Sequence, residues 1–90
     1  MTKKILWTNQ FTRDYKKIQK QGKKLDKLEA IINLLVEGKS LPPARRDHAL
    51  KGEYIGCREC HISPDWLLIY RPEKDKLVLY RTGSHSELLE

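Results

Sequence analysis

Three histidines, His48, His61 and His85, fall in the second half of a 90-residue chain, each in a loop or near the end of an expected element. Asp65, Glu59, Lys51, Arg58, Arg81 and Trp66 join them there. Histidine is the side chain whose ordinary titration lies nearest neutral pH, so a His set among cations can both give and take a proton. In a basic chain such a set is compatible with RNA binding alone and also with metal-free cleavage of RNA, which has three requirements. A base takes the 2′-OH proton, an acid protonates the departing 5′-oxygen, and cations hold the charge that builds on the phosphate. Each residue also has a plainer reading. A His at a strand end is commonly a surface polar group, and Trp66 within an apolar strand serves equally as core filling or as a base-stacking platform. The histidines are 13 and 24 positions apart, which matches no compact zinc motif, so no metal site is expected.

Charge gives this cluster a class of partner. Eighteen Lys and Arg against twelve Asp and Glu leave a formal charge of +6, which favours polyanions or an acidic protein. Arg45 and Arg46, in a loop after Pro42 and Pro43, are candidates for phosphate contact, whereas Lys16, Lys17 and Lys20 read as a solvated helix face. No apolar run approaches the roughly 20 residues of a membrane span. The opening residues turn polar before a signal-peptide core can form, so a cytoplasmic location is expected.

Cys57-Arg58-Glu59-Cys60-His61 has the C-x-x-C-H spelling of a c-type haem attachment site. That chemistry normally follows export, and no export signal is present. Zinc lacks a second ligand cluster, and a redox dithiol belongs at a helix N-terminus, not in a strand where residues three apart face opposite sides. The two cysteines are therefore read as reduced and structural, and no cofactor is expected.

The elements that must position these groups follow from periodicity. Lys3 to Thr8, around Ile5-Leu6-Trp7, reads as a strand. Thr8 or Asn9 can cap a helix with Phe11, Tyr15 and Ile18 on one stripe, stopped by Gly22. A second helix from about Lys24 carries Leu25, Leu28, Ile31, Ile32, Leu35 and Val36 and ends at Gly38. Tyr54 to Ile62 then reads as a strand, Ser63-Pro64-Asp65 as a turn, and Trp66 to Tyr70 as a strand covered on both faces. Pro72 to Asp75 is a turn and Leu77 to Tyr80 the last strand, broken at Thr82-Gly83 before a short tail, Ser86 to Glu90. The expected fold is one α+β domain over residues 1–90: β-α-α-β-β-β, a mainly antiparallel sheet with an N-terminal helical hairpin packed on one face.

Three segments together resemble a known family. Asp47-His48-Ala49-Leu50-Lys51-Gly52, Arg58 to Tyr70, and Arg81-Thr82-Gly83-Ser84-His85-Ser86-Glu87-Leu88 are similar to the YafQ-type toxins of the RelE/ParE superfamily, over nearly the whole chain. The resemblance implies a RelE-like fold and a ribosome-dependent mRNA interferase, an endoribonuclease cutting mRNA in the ribosomal A site. It implies metal-independent attack of the 2′-OH on the adjacent phosphate and the toxin role in a type II toxin–antitoxin system. By motif, His48, His61, Asp65 and His85 match catalytic positions. His85 is expected as the general acid, with His48 and Asp65 on the base side and His61 as base, orienter or phosphate ligand. Lys51, Arg58, Arg81, Arg45 and Arg46 are expected to hold RNA or its charge, with Trp66 beside the nucleotide. The implied partners are the ribosome, mRNA and an acidic, ribbon-helix-helix antitoxin of the DinJ/RelB kind in a hetero-oligomeric complex. Two departures stand out: the tail offers Leu88 and Leu89 where some relatives have an aromatic residue, and Glu59 stands where an Asp is familiar. The alternative on the same fold is a ParE-like toxin that acts on DNA gyrase and cleaves nothing.

Overall fold

The computed structural model describes residues 3–89; Met1, Thr2, Glu90 and the Leu89 side chain lie outside the described residues. The chain runs β1 (Lys4–Trp7), α1 (Asn9–Lys20), α2 (Leu25–Val36), β2 (His48–Ala49), β3 (Arg58–Ser63), β4 (Trp66–Pro72), β5 (Lys76–Gly83) and α3 (His85–Leu89). Single 3-10 turns at Pro43–Arg45 and Gly52–Tyr54 interrupt the loops on either side of β2.

Local chemistry sets the start of α1 and the ends of both α1 and α2. Thr8 caps α1 by accepting from the Phe11 N–H at 3.0 Å. Gly22, at φ 75°, takes the left-handed conformation that closes α1, and the Lys23 N–H reaches back to Ile18 C=O. Gly38 ends α2 by the same device. Phe11, Ile18, Leu28 and Ile31 then bury the apolar stripes of both helices on one face of the sheet, against Cys60, Ile62, Trp66, Leu68, Tyr70, Leu77 and Leu79.

The sheet order is β1-β5-β4-β3-β2, with every pairing antiparallel except β1 beside β5. β4 is central, and Trp66 to Tyr70 are all buried, which explains why no polar alternation interrupts them. The face away from α1 and α2 carries a smaller core of Cys57, Leu67, Ile69 and Leu88, flanked by Leu50, Tyr54 and Tyr80. A register shift between Ile69 and Tyr70 sets Tyr80 as the extra residue of a bulge, and Thr8 Oγ1 donates to its carbonyl at 2.9 Å.

Four expectations are corrected. β3 begins at Arg58, not Tyr54, because Gly52 and Gly56 adopt positive φ and the Cys57 N–H bonds Tyr54 C=O in a turn. The two-residue strand β2 is added at the sheet edge, too short to show a period. β5 continues through Thr82 and Gly83, which pair with Leu68 and Leu67. The tail is helical from His85.

Candidate functional site

The pleat of β3 decides which side chains share a face. Glu59 and His61 point to the side away from α1 and α2, whereas Arg58, Cys60 and Ile62 point toward the helices. Opposite Glu59, β2 presents His48, whose Nε2 lies 3.6 Å from Glu59 Oε1. His48 Nδ1 sits 2.7 Å from Arg46 C=O, so the ring is held from both ends. Arg46 reaches this position with φ 51° and ψ 44°, a left-handed conformation uncommon for a side-chain-bearing residue.

At the far end of β3, the turn into β4 meets α3. Asp65 Oδ1 accepts from the His85 N–H at 3.2 Å, tying the first residue of the helix to the turn. Ser84 Oγ accepts from the Glu87 N–H and Glu87 Oε1 accepts from the Ser84 N–H, at 3.3 and 2.9 Å. This reciprocal capping box lets so short a helix hold its place. Glu87 also pairs with Lys17 of α1, and that pairing, with the Ser84 bonds, lowers its carboxyl to about 2. Leu88 is buried beneath. Gly83 leaves room for the return of the chain: a Cβ there would stand 3.1 Å from Glu87 Oε1.

These anchors bring the His85 and His61 rings to a centroid separation of 6.2 Å, close enough to address adjacent oxygens of one phosphate. His85 is exposed and His61 half-buried. His61 Nδ1 is buried without a partner among the described residues, which leaves Nε2 as the nitrogen able to meet a substrate. Glu59 is 2% exposed, and its Oε2 is likewise unpartnered among the described residues. A buried carboxylate with a free oxygen is unfavourable unless something draws on it. The one facing it here is His48. The sequence marks Glu59 as a neighbour of the histidines and as a departure from the familiar Asp; the pairing of β2 with β3 is what links it to His48.

Thus two linked groups form on β3 and its neighbours: Glu59 meets His48, and His61 lies beside His85, whose backbone Asp65 holds. Three of the residues expected to meet RNA have partners within the fold. Arg58 faces the helix side and binds Asp47 through Nε at 2.9 Å, a bond that raises its already high pKa. Arg81 gives Nε and Nη2 to the two oxygens of Asp14 at 2.7 and 3.2 Å, so its charge is balanced inside the fold. Trp66 is 3% exposed, with its indole N–H on Thr82 Oγ1 at 2.9 Å, and offers no open ring face to a base. Lys51 and Arg46 are exposed and enter none of the described ion pairs, while Arg45 is half-buried with one amino group on Ile62 C=O at 2.8 Å.

The cysteines lie on opposite faces of the sheet, both buried and free. Burial pushes the Cys60 thiol up to about 12, consistent with the structural role expected. Among the described residues no group of three or more His, Cys, Asp or Glu is placed to hold a metal ion, and no helix is long and apolar enough to cross a membrane.

Comparison with known proteins places this arrangement. Residues 3–90 match the family described as the bacterial toxin of type II toxin–antitoxin systems, YafQ. The mRNA interferase toxin YafQ of Escherichia coli K12 is 38% identical over 85 residues, covering 93% of this chain and 92% of that one. Among solved structures, the E. coli DinJ–YafQ toxin–antitoxin complex superimposes with a TM-score of 0.92 at 35% identity over the full length of both chains. A metal-bound toxin from Helicobacter pylori gives 0.90 at 38% identity, over 99% of this chain and 100% of that one. The chain belongs to the YafQ family of bacterial type II toxin–antitoxin toxins.

Proposed function

We propose that this toxin is an mRNA interferase, an endoribonuclease that cuts mRNA in the ribosomal A site without a metal ion. The observation that carries the reading is the His61–His85 pair, two imidazoles 6.2 Å apart, with Asp65 holding the His85 backbone. Such a pair supplies the acid and base that transesterification of RNA needs.

His85 is the general acid, protonating the departing 5′-oxygen. It is exposed, and its backbone is fixed by Asp65 at the start of a capped helix. His61 Nε2 is placed to take the 2′-OH proton, with the attack producing a 2′,3′-cyclic phosphate and a 5′-hydroxyl. Asp65 then acts as a positioning residue for His85. Glu59 does the same for His48, and the exposed Lys51 and Arg46 meet the RNA backbone. The +6 surface suits ribosomal RNA and also an acidic antitoxin of the ribbon-helix-helix kind. The DinJ–YafQ complex of the relative supports such a partner for this chain.

The test is primer extension on a translated mRNA with EDTA present, comparing wild type with folded His85→Ala. Cuts inside translated codons, dependent on ribosomes and lost in the mutant, are expected. A folded, growth-inhibiting wild type that makes no cuts would refute the reading and direct attention to DNA gyrase.

A further inference from the structure

A pocket of about 330 Å³ opens between the Pro43–Arg45 turn and the turn that joins β3 to β4, lined by Ala44, Arg45, Arg46, His61, Ser63 and Pro64. That volume lies at the small end of ligand sites, the scale of one nucleotide and not of an extended strand. Its chemistry is two-sided. Arg45 and Arg46 bring two guanidinium groups and no carboxylate lines the pocket, while Ala44 and Pro64 give an apolar wall. A ligand with a flat apolar part and an anionic part fits both sides.

The cations are set in place by the backbone. Arg45 uses one amino group on Ile62 C=O at 2.8 Å, which fixes the guanidinium against β3 and leaves its other N–H groups open. Arg46 adopts the left-handed conformation that turns its carbonyl to His48 Nδ1, and its exposed side chain enters no described ion pair. His61 is shared: it lines the pocket and also stands 6.2 Å from His85. Whatever fills the pocket is therefore next to the reacting phosphate.

We propose that this pocket is a subsite for a single unpaired nucleotide of the mRNA, the neighbour of the scissile phosphate, and that it sets which sequences are cut. Its phosphate meets Arg45 and Arg46, and its base lies on the Pro64 and Ala44 wall and the guanidinium plane. The proposal rests on the mRNA interferase reading and assigns the substrate contact of that same site.

Two measurements decide it. In the full chain carrying His85→Ala, backbone amide shifts are followed as adenosine 3′,5′-bisphosphate is added, with inorganic phosphate in parallel. Saturable shifts at Ala44, Arg45 and Ser63 are expected, with inorganic phosphate binding at least about tenfold more weakly. Arg46→Gln should weaken the bisphosphate about three- to tenfold. Shifts confined to other residues, equal binding of inorganic phosphate, or unchanged affinity in Arg46→Gln would overturn the subsite. In the otherwise wild-type chain, the pocket-filling Ala44→Trp should redistribute the cut sites while cutting continues. An unchanged distribution overturns the subsite and leaves the interferase reading standing; absence of any cuts by wild type overturns both.

Discussion

Replacing Asp14 by Asn tests whether Arg81 serves the fold or the phosphate. Asp14 receives Nε and Nη2 of Arg81 and the Thr82 N–H, and the two side chains are 19% and 11% exposed, Arg81 first. Removing one partner of a fully buried pair costs about 3–5 kcal/mol, because the other charge is stranded. With part of the guanidinium still reaching solvent, about 2–3 kcal/mol is the expected loss for Asp14→Asn, and similarly for Arg81→Gln. That is a large share of the roughly 5–15 kcal/mol that a domain has in total. At about 1 kcal/mol per molar urea, the unfolding midpoint should fall by about 2–3 M. The double variant should lose less than the sum by at least about 1 kcal/mol, as expected for residues in contact. Activity separates the roles further. At a temperature where every variant is folded, both single variants should cut within about tenfold of each other. Additive stability losses, or a further loss of about 100-fold in Arg81→Gln alone (about 2.7 kcal/mol of barrier), would return Arg81 to the chemistry.

Other consequences are quicker to check. Trp66→Phe removes the indole bond to Thr82 and should cost about 1 kcal/mol by urea unfolding with RNA affinity unchanged; weakened RNA binding in the folded variant would restore the stacking role. Glu87 has its carboxyl lowered from 4.5 to about 2, so its contribution to holding α3 is full above about pH 4.5 and is lost as pH falls toward 2. Amide exchange in α3 should accelerate across that window in wild type and already be fast at neutral pH in Glu87→Gln. Cys60, raised to about 12 by burial, should resist alkylation at pH 8 in the folded protein and react promptly in urea. Its contribution to stability is full below about pH 9 and is lost as pH rises toward 12, because the unfolded thiol ionises first.

What was legible in the sequence was what local pattern encodes. The stripes of α1 and α2, their glycine ends, the Ser63-Pro64-Asp65 turn and the covered strand β4 all follow from spacing over a few residues. Pleat parity alone also puts Arg58 and His61, three positions apart, on opposite faces of β3. α3 does carry a local signal, since Ser84-His85-Ser86-Glu87 spells a capping box. Other features had no local signal. Arg81 and Asp14 are 67 positions apart, and Glu59 meets His48 only because a two-residue strand pairs there. Partnerships of that kind are created by topology and become visible once the sheet is assembled.

The pairing of β1 with β5 sets an order of events during synthesis. The Lys4 and Thr8 N–H groups bond the carbonyls of Asp75 and Leu79, so the first strand to leave the ribosome waits for the last. Contacts so distant along the chain form late in folding. α3 and His85 come later still, docking on α1 through Glu87 and Lys17. A growing polypeptide therefore has neither a completed sheet nor the His61–His85 pair while β5 is unfinished. Of the described elements, the one that carries His85 is thus the last to be made.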